Sequence, residues 1–430
     1  MCLVEGFLVA HWTIFCMSDS LVWQRSILPN GLRVLYFPKP SANTVQLSVA
    51  VEFGSNDELE SEAGVAHFLE HMLAGGSEER VQKSRSVEDY GGNLNFYTDH
   101  EYTMSFVDVL PENLLQASQV LFELLFDDFF DEEKFVSERK IILQEIAEYL
   151  DDPTVIINEL LLKNLFKKHP ISRPVGGYSK TLSTLSLQQL KAVHTVAYSP
   201  QNMVLMLIGN LSNNQIQKVL KPFEDNKSKQ QKLTRHFYPQ KVSTPSPIKV
   251  VKEKQGITQA YLNLGVKTVS TKNVDDPKLD LISMILSGGT SSRLFVELRE
   301  KRALTYDVAT AHINGLDFGY LSVCCVVKNS NVDKTQKIIF DEIAKLRNEK
   351  VSEEELERNK KLILSDYLRG IDNPNTCQDI LAYMEIQFSH EKSLINYLNK
   401  IKNITTTDIL NTAQTYLQKD NFTTAILKPK

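Results

Sequence analysis

Two histidines one helical turn apart, with a glutamate just before the second, stand in "HFLEHMLAGGS" at residues 67–77. Each helical residue advances by about 100°, so His67 and His71 lie about 40° apart on one face, with Glu70 beside them. Two imidazoles so placed are zinc donors, and a carboxylate next to them can take a proton from a bound water. The order reverses that of the commoner HExxH helix. Projection of "AGVAHFLEHMLA" puts Val65, Phe68, Leu69 and Met72 on the opposite side as a buried stripe, while Ala63, Gly64 and Ala74 border the histidine face. These small neighbours leave room for a second element to approach.

A second element with suitable groups is the helical pattern "DEEKFVSERKIILQEIAEYLDD". It carries Glu138 and Glu145 seven residues apart, within about 20° of each other, and Ile141 and Ile142 are expected to bracket that strip. Carboxylates leaning toward a core need a partner, because burying an unpaired charge is costly. A dication held by the first helix would be one such partner. Water on an exposed helix face is the alternative, and projection alone does not choose between them.

These helices sit in an alternation of strands and helices from about Trp23 to Phe223, opened by "LRVLYF" and "TVQLSVAVEFG" with strand-like period two. Residues 226–247 are polar, lysine-rich and end in two prolines, which is linker chemistry. Strand patterns then resume at "IKVVKEK" and "QAYLNLGV". The stretch "ERKIILQEIAEYLDDP" has a counterpart in "NKKLILSDYLRGIDNP" about 221 residues later, and "AYSPQNMVLMLIGN" has one in "TYLQKDNFTTAILK". The chain therefore reads as two copies of one α+β domain, each an antiparallel or mixed sheet packed with helices. The first spans 18–225, the second 248–430, and residues 1–17 form an extension outside the folded body. The second copy has no HxxEH and carries Asp366 where the first has Glu145, so only the first is expected to hold a metal.

Bulk properties agree with this reading. A chain of 430 residues suggests at least two domains, and a net charge of −5 argues against a nucleic-acid-binding face. Five cysteines without CxxC spacing indicate neither a disulfide framework nor a thiolate zinc site, and a reducing compartment is expected. Cytoplasmic placement follows, with periplasm or an organelle as alternatives. The apolar start "MCLVEGFLVAHWTIFCM" is interrupted by Glu5 and His11 and is too short for a membrane span.

The HxxEH at residues 67–71, followed after 73 residues by Glu145 within "ERKIILQE", resembles the pitrilysin-type metallopeptidases, also called inverzincins or family M16. It is similar in particular to their half-length branch, which includes the mitochondrial processing peptidase. "GGNLNFYTDHEYT", "HPISRPVGG", "YSPQNM" and "LSGGTSSRLFVELREKRALTY" resemble further landmarks of that family, and the likeness runs from about residue 21 to the end.

The resemblance implies that His67, His71 and Glu145 bind one Zn2+ per chain, that Glu70 is the general base, and that Glu138 lies behind the ligands. It also implies that Arg299 and Tyr306 of the second domain donate hydrogen bonds to the substrate carbonyl or oxyanion. Asn95, Phe96 and Tyr97 fall in the expected substrate-binding edge strand, where an extended peptide could add through main-chain hydrogen bonds. Phe96 stands where family members usually carry a small residue, and either reshapes that pocket or faces the core. His100, four residues on, reads as structural. The implied activity is zinc-dependent endoproteolysis of short or unfolded polypeptides in a closed chamber; a non-catalytic scaffold or assembly subunit is the alternative. A homodimer is the expected assembly and a heteromeric M16 partner the second choice, with neither nucleic acid nor membrane involved.

Overall fold

The computed structural model describes residues 13–16, 22–226, 231–238, 240, 248–388 and 394–430. The first sheet contains β1 (Thr13–Cys16), β2 (Val22–Ile27), β3 (Arg33–Pro38), β4 (Val45–Val51), β5 (Asn93–Thr98), β6 (Thr103–Val109) and β7 (Met203–Gly209), in the order β1-β2-β3-β7-β4-β6-β5. The second contains β8 (Ile248–Lys254), β9 (Ala260–Lys267), β10 (Val308–Asn314), β11 (Gly319–Val327) and β12 (Thr423–Pro429), in the order β10-β11-β9-β12-β8. Residues 13–16, expected in an extension, form β1 and pair antiparallel with β2; the rest of residues 1–17 lies outside the described residues.

The duplication is written in the sheets. Strands β3-β7-β4-β6-β5 repeat as β8-β12-β9-β11-β10, each set having its first pair parallel and the remaining pairs antiparallel. Both copies are α+β, with helices packed on mixed sheets. The central strands β4 and β7 are buried along their whole length, as expected of strands covered on both faces.

Two compact units result, and they do not follow the halves of the sequence. The first gathers the described residues up to Ala147, those in Arg173–His236, and Ile371–Ile386. The second gathers those in Glu148–Ser172, Phe237–Gly370 and Gln387–Lys430. Each copy thus passes a helical segment to the other unit directly after its "DDP" or "DNP" turn. In the first unit, the segment from Pro374–Phe388 supplies Gln378, which accepts hydrogen bonds from Gln46 Nε2 (2.7 Å) and the Ser48 hydroxyl, both on β4. It also supplies Glu385, clasped by the Arg25 guanidinium at 2.8 and 3.0 Å. In the second unit, the corresponding helix Pro153–Leu165 packs Ile156, Ile157 and Leu161 against Ala425 and Leu427 of β12. The described part of the linker is likewise tied down: the Gln231 amide donates to Ser199 Oγ and the Leu233 amide to Asn202 Oδ1.

Four helices of the first unit matter for the site: α1 (Val65–Gly75), α2 (Glu78–Asp89), α3 (Leu114–Phe126) and α4 (Glu132–Tyr149). Val65, Phe68, Leu69 and Met72 of α1 are all buried, as projected. Phe68 stacks on Phe135 of α4 with ring centroids 4.8 Å apart and planes 2° from parallel, which locks α1 against α4. Arg80 of α2 is the largest fully buried side chain. Its guanidinium donates to the carbonyls of Leu73, Leu124, Asp127 and Phe129, satisfying the C-terminal carbonyls of α1 and α3.

Candidate metal centre

Helix α1 starts from Gly64, whose φ of 98° is open to glycine and strained for any side chain; a Cβ there would also lie 2.6 Å from the Gly176 carbonyl oxygen. No side chain of the helix caps this end. Instead the two oxygens of Glu58 accept the amide protons of Gly64 (2.9 Å) and Ala66 (2.8 Å), so a buried carboxyl group sits at the positive end of the helix dipole. Burial pushes the Glu58 carboxyl up to about 8, opposed by those two amides and by Arg173. Arg173 in turn donates to the carbonyls of Ser55 and Glu58, fixing the loop that carries the cap.

The helix then presents His67, Glu70 and His71 to α4, with the two imidazole centroids 4.8 Å apart and the rings nearly perpendicular. His67 Nε2 lies 3.7 Å from Glu145 Oε1, and His71 Nε2 lies 3.4 Å from Glu145 Oε2. Glu138 addresses the other side of the same ring: its Oε2 is 3.2 Å from His71 Nδ1. The two glutamates that helical projection left equivalent are thereby separated. Ile142 is buried as expected of a residue flanking them, but Ile141 is 52% exposed, because α4 turns only a narrow stripe of Phe135, Ile142 and Ile146 inward.

The donors fit a zinc ion. Bonds of about 2.0–2.2 Å to a tetrahedral centre place ligand atoms about 3.3–3.6 Å apart, close to the separations between the carboxylate and the two Nε2 atoms. His71 can donate Nδ1–H to Glu138, which leaves Nε2 as the free donor, the usual arrangement behind a ligating histidine. His67 Nδ1 is buried without a hydrogen bond, so nothing on that side orients the ring; a metal at Nε2 would. Burial, and then the neighbouring His71, lower the His67 pKa to about 4, keeping its lone pair available at neutral pH. At His71 burial acts downward, but the Glu138 hydrogen bond and the charges of Glu70, Glu138 and Glu145 outweigh it and raise the pKa.

Glu70 lies beside His71 and Glu145 with its pKa raised by burial, against the lowering effect of a hydrogen bond from Thr98 Oγ1 at 2.7 Å. Thr98 ends β5, and sequence reasoning passed over it: a lone threonine in a strand carries no pattern. Strand β5 is the sheet edge, as anticipated, pairing only with β6 among the described residues. Asn95 is exposed, and its Oδ1 accepts the Phe96 amide proton at 2.9 Å. The Phe96 ring packs against the core of the unit, on the face shared with Leu94. Tyr97 points the other way and its hydroxyl bonds Asp379 of Pro374–Phe388. His100 bonds Ser55 Oγ at 2.8 Å, consistent with a structural role.

Arg299 and Tyr306 belong to the second unit. The Arg299 guanidinium carbon lies 4.8 Å from the centre of the Phe295 ring and 4.5 Å from that of Tyr306, and Tyr306 is 81% exposed. Phe295–Glu300 is a wide π-type helical turn, and Ala303 just after it adopts φ 48°, a left-handed conformation uncommon outside glycine. The same unit holds a group of ligand-type side chains that was not anticipated, Asp276, Asp280 and His312. Its atoms are satisfied by hydrogen bonds: His312 Nδ1 with Asp280 (2.8 Å), His312 Nε2 with Thr268 (3.0 Å), Tyr397 to Asp280 (2.5 Å) and Asn314 to Asp276. Asp366, the counterpart of Glu145, is exposed and pairs with Arg369.

Residues 33–178 match the family described as Insulinase (Peptidase family M16), and residues 184–363 match the Peptidase M16 inactive domain. An uncharacterized zinc protease of Rickettsia felis is 30% identical over 408 residues, covering 94% of this chain and 97% of the relative. One from Bacillus subtilis is 26% identical, covering 94% and 98%. Among solved structures, a protease from Helicobacter pylori superposes with a TM-score of 0.87 at 22% identity, covering 95% of this chain and 99% of that one. A chain of Complex III2 from Candida albicans does so with 0.78 at 16%, covering 94% and 95%. The chain belongs to peptidase family M16, as a half-length member with both α+β repeats. No helix among the described residues is long and apolar enough to cross a membrane.

Proposed function

We propose that this chain is a zinc-dependent endopeptidase acting on short or unfolded polypeptides, with one zinc per chain held by His67, His71 and Glu145. The observation that carries the reading is the convergence of both Nε2 atoms on the two oxygens of Glu145, with the Glu70 carboxylate alongside. Zinc so bound would polarise the scissile carbonyl and bring a water's pKa down to about 7. Glu70 takes the proton from the attacking water and delivers it to the leaving amine, a role suited to a carboxyl whose pKa burial has raised. Glu138 holds the His71 ring through Nδ1. The substrate main chain adds to the outer edge of β5 at Asn95, Phe96 and Tyr97; with the Phe96 ring turned to the core, selection there falls to the opposite face. Arg299 and Tyr306 donate to the substrate carbonyl or the developing oxyanion.

The test is metal removal. Cleavage of an unstructured peptide should vanish on treatment with a zinc chelator and return on adding one equivalent of zinc per chain; cleavage that survives complete removal would sink the proposal. We propose further that the protein works as a cytoplasmic homodimer enclosing its peptide. Sedimentation at working concentration should give twice the chain mass, and a monomer that still cleaves would overturn the dimer alone.

A further inference from the structure

The side chain that touches the proposed general base most directly is Thr98, and no role in the reaction has been given to it. Its hydroxyl reaches Glu70 Oε2 at 2.7 Å. Of the two oxygens of the carboxylate, Oε2 is thereby given a hydrogen-bond donor.

The strand end that carries this donor is itself held in place. Thr98 pairs with Thr103 across β5 and β6, and the next amide, of Asp99, donates to the Tyr102 carbonyl at 2.8 Å, closing the hairpin. The strand end is tied to the loop after β4: the amides of Ser55 and Asn56 donate to the carbonyls of Asp99 (3.2 Å) and His100 (2.8 Å). Gly54 allows this approach, since a Cβ there would lie 2.4 Å from the Asp99 oxygen. On the other face of the strand the neighbouring Tyr97 hydroxyl bonds Asp379. A β-branched threonine in such a strand has few χ1 options, so the hydroxyl is aimed before any substrate arrives.

We propose that Thr98 is a positioning residue for Glu70: it fixes the carboxylate in the orientation that accepts the proton of the attacking water, and it does so from the strand to which the peptide adds. The proposal rests on the endopeptidase reading, and its predicted signature lies in turnover rather than in substrate or metal binding. A hydroxyl is required at this position, and the volume of the side chain is not.

Two variants separate these properties. Thr98→Val keeps the shape and removes the donor; Thr98→Ser keeps the donor and removes a methyl. With zinc-loaded protein and one unstructured peptide, Thr98→Val should retain wild-type zinc content and a KM within about twofold, while kcat falls about tenfold or more. Thr98→Ser should stay within about threefold of wild type in kcat. Crystal structures give a readout independent of activity: the Glu70 carboxylate should occupy one conformer against Thr98 in the wild type and lose it in Thr98→Val, with β5 unmoved. Wild-type kcat in Thr98→Val, an equal loss in Thr98→Ser, or an unchanged Glu70 conformer in Thr98→Val would each overturn the assignment. A wild-type protein that binds zinc but cleaves nothing defeats the endopeptidase reading instead, and the crystallographic comparison still decides whether Thr98 sets Glu70.

Discussion

Glu70→Gln is expected to lower kcat for peptide cleavage by about 10²–10⁴-fold, the usual range for loss of a general acid–base group, with zinc content unchanged. Glutamine has the same shape, and its carbonyl oxygen can still accept the Thr98 hydroxyl that reaches Glu70 Oε2, so the local structure has no reason to shift. What it lacks is basicity: an amide oxygen cannot carry a proton from water to the leaving nitrogen. Separating the two measurements is essential. Zinc by elemental analysis reports whether the site is intact, and steady-state kinetics reports whether the base is missing. An unaltered kcat would remove Glu70 from the mechanism whatever the metal does.

The second large effect concerns Glu138 and Glu145 of α4. Glu145→Ala is expected to cost most of the zinc affinity, since it deletes one of the three proposed protein ligands, whereas Glu138→Ala should cost only about 10–100-fold, the typical effect of losing a group that orients a ligand. The distinction rests on geometry, because Glu145 faces both Nε2 atoms while Glu138 reaches His71 only at Nδ1. Competition against a chelator of known affinity measures both variants on one scale. If Glu138→Ala proved the more damaging, the ligand and the orienting group would have to exchange places.

The pair also shows how far a sequence can be read. Helical spacing put His67, Glu70 and His71 on one face because that face depends only on local geometry, and the structure keeps them together. Spacing could not rank Glu138 against Glu145, since residues seven apart share a face and the deciding atoms lie on another helix. The Ile141 expectation failed for a related reason: how wide a stripe a helix buries depends on what covers it. Arg80 stands in the polar stretch "SEERVQKSRS", and its burial follows from four carbonyls, three of them contributed by residues 44–49 positions away. Thr98 had no pattern at all. The duplication, by contrast, left two matched pairs of motifs in the chain and reappears as two sheets with one strand order.

The exchange of helical segments was invisible in those motifs, and it bears on how the protein is made. The first unit needs Ile371–Ile386 for the Gln378 and Glu385 contacts, yet the ribosome delivers that segment long after the first repeat. At about 5–20 residues per second, the roughly 160 residues between the first repeat and Ile386 take about 8–32 s to emerge. For that interval Gln46 and Ser48 on β4, and Arg25 on β2, have no Gln378 or Glu385 to meet. The unit that carries His67, His71 and Glu145 is therefore synthesised early and completed late, once Ile371–Ile386 has emerged.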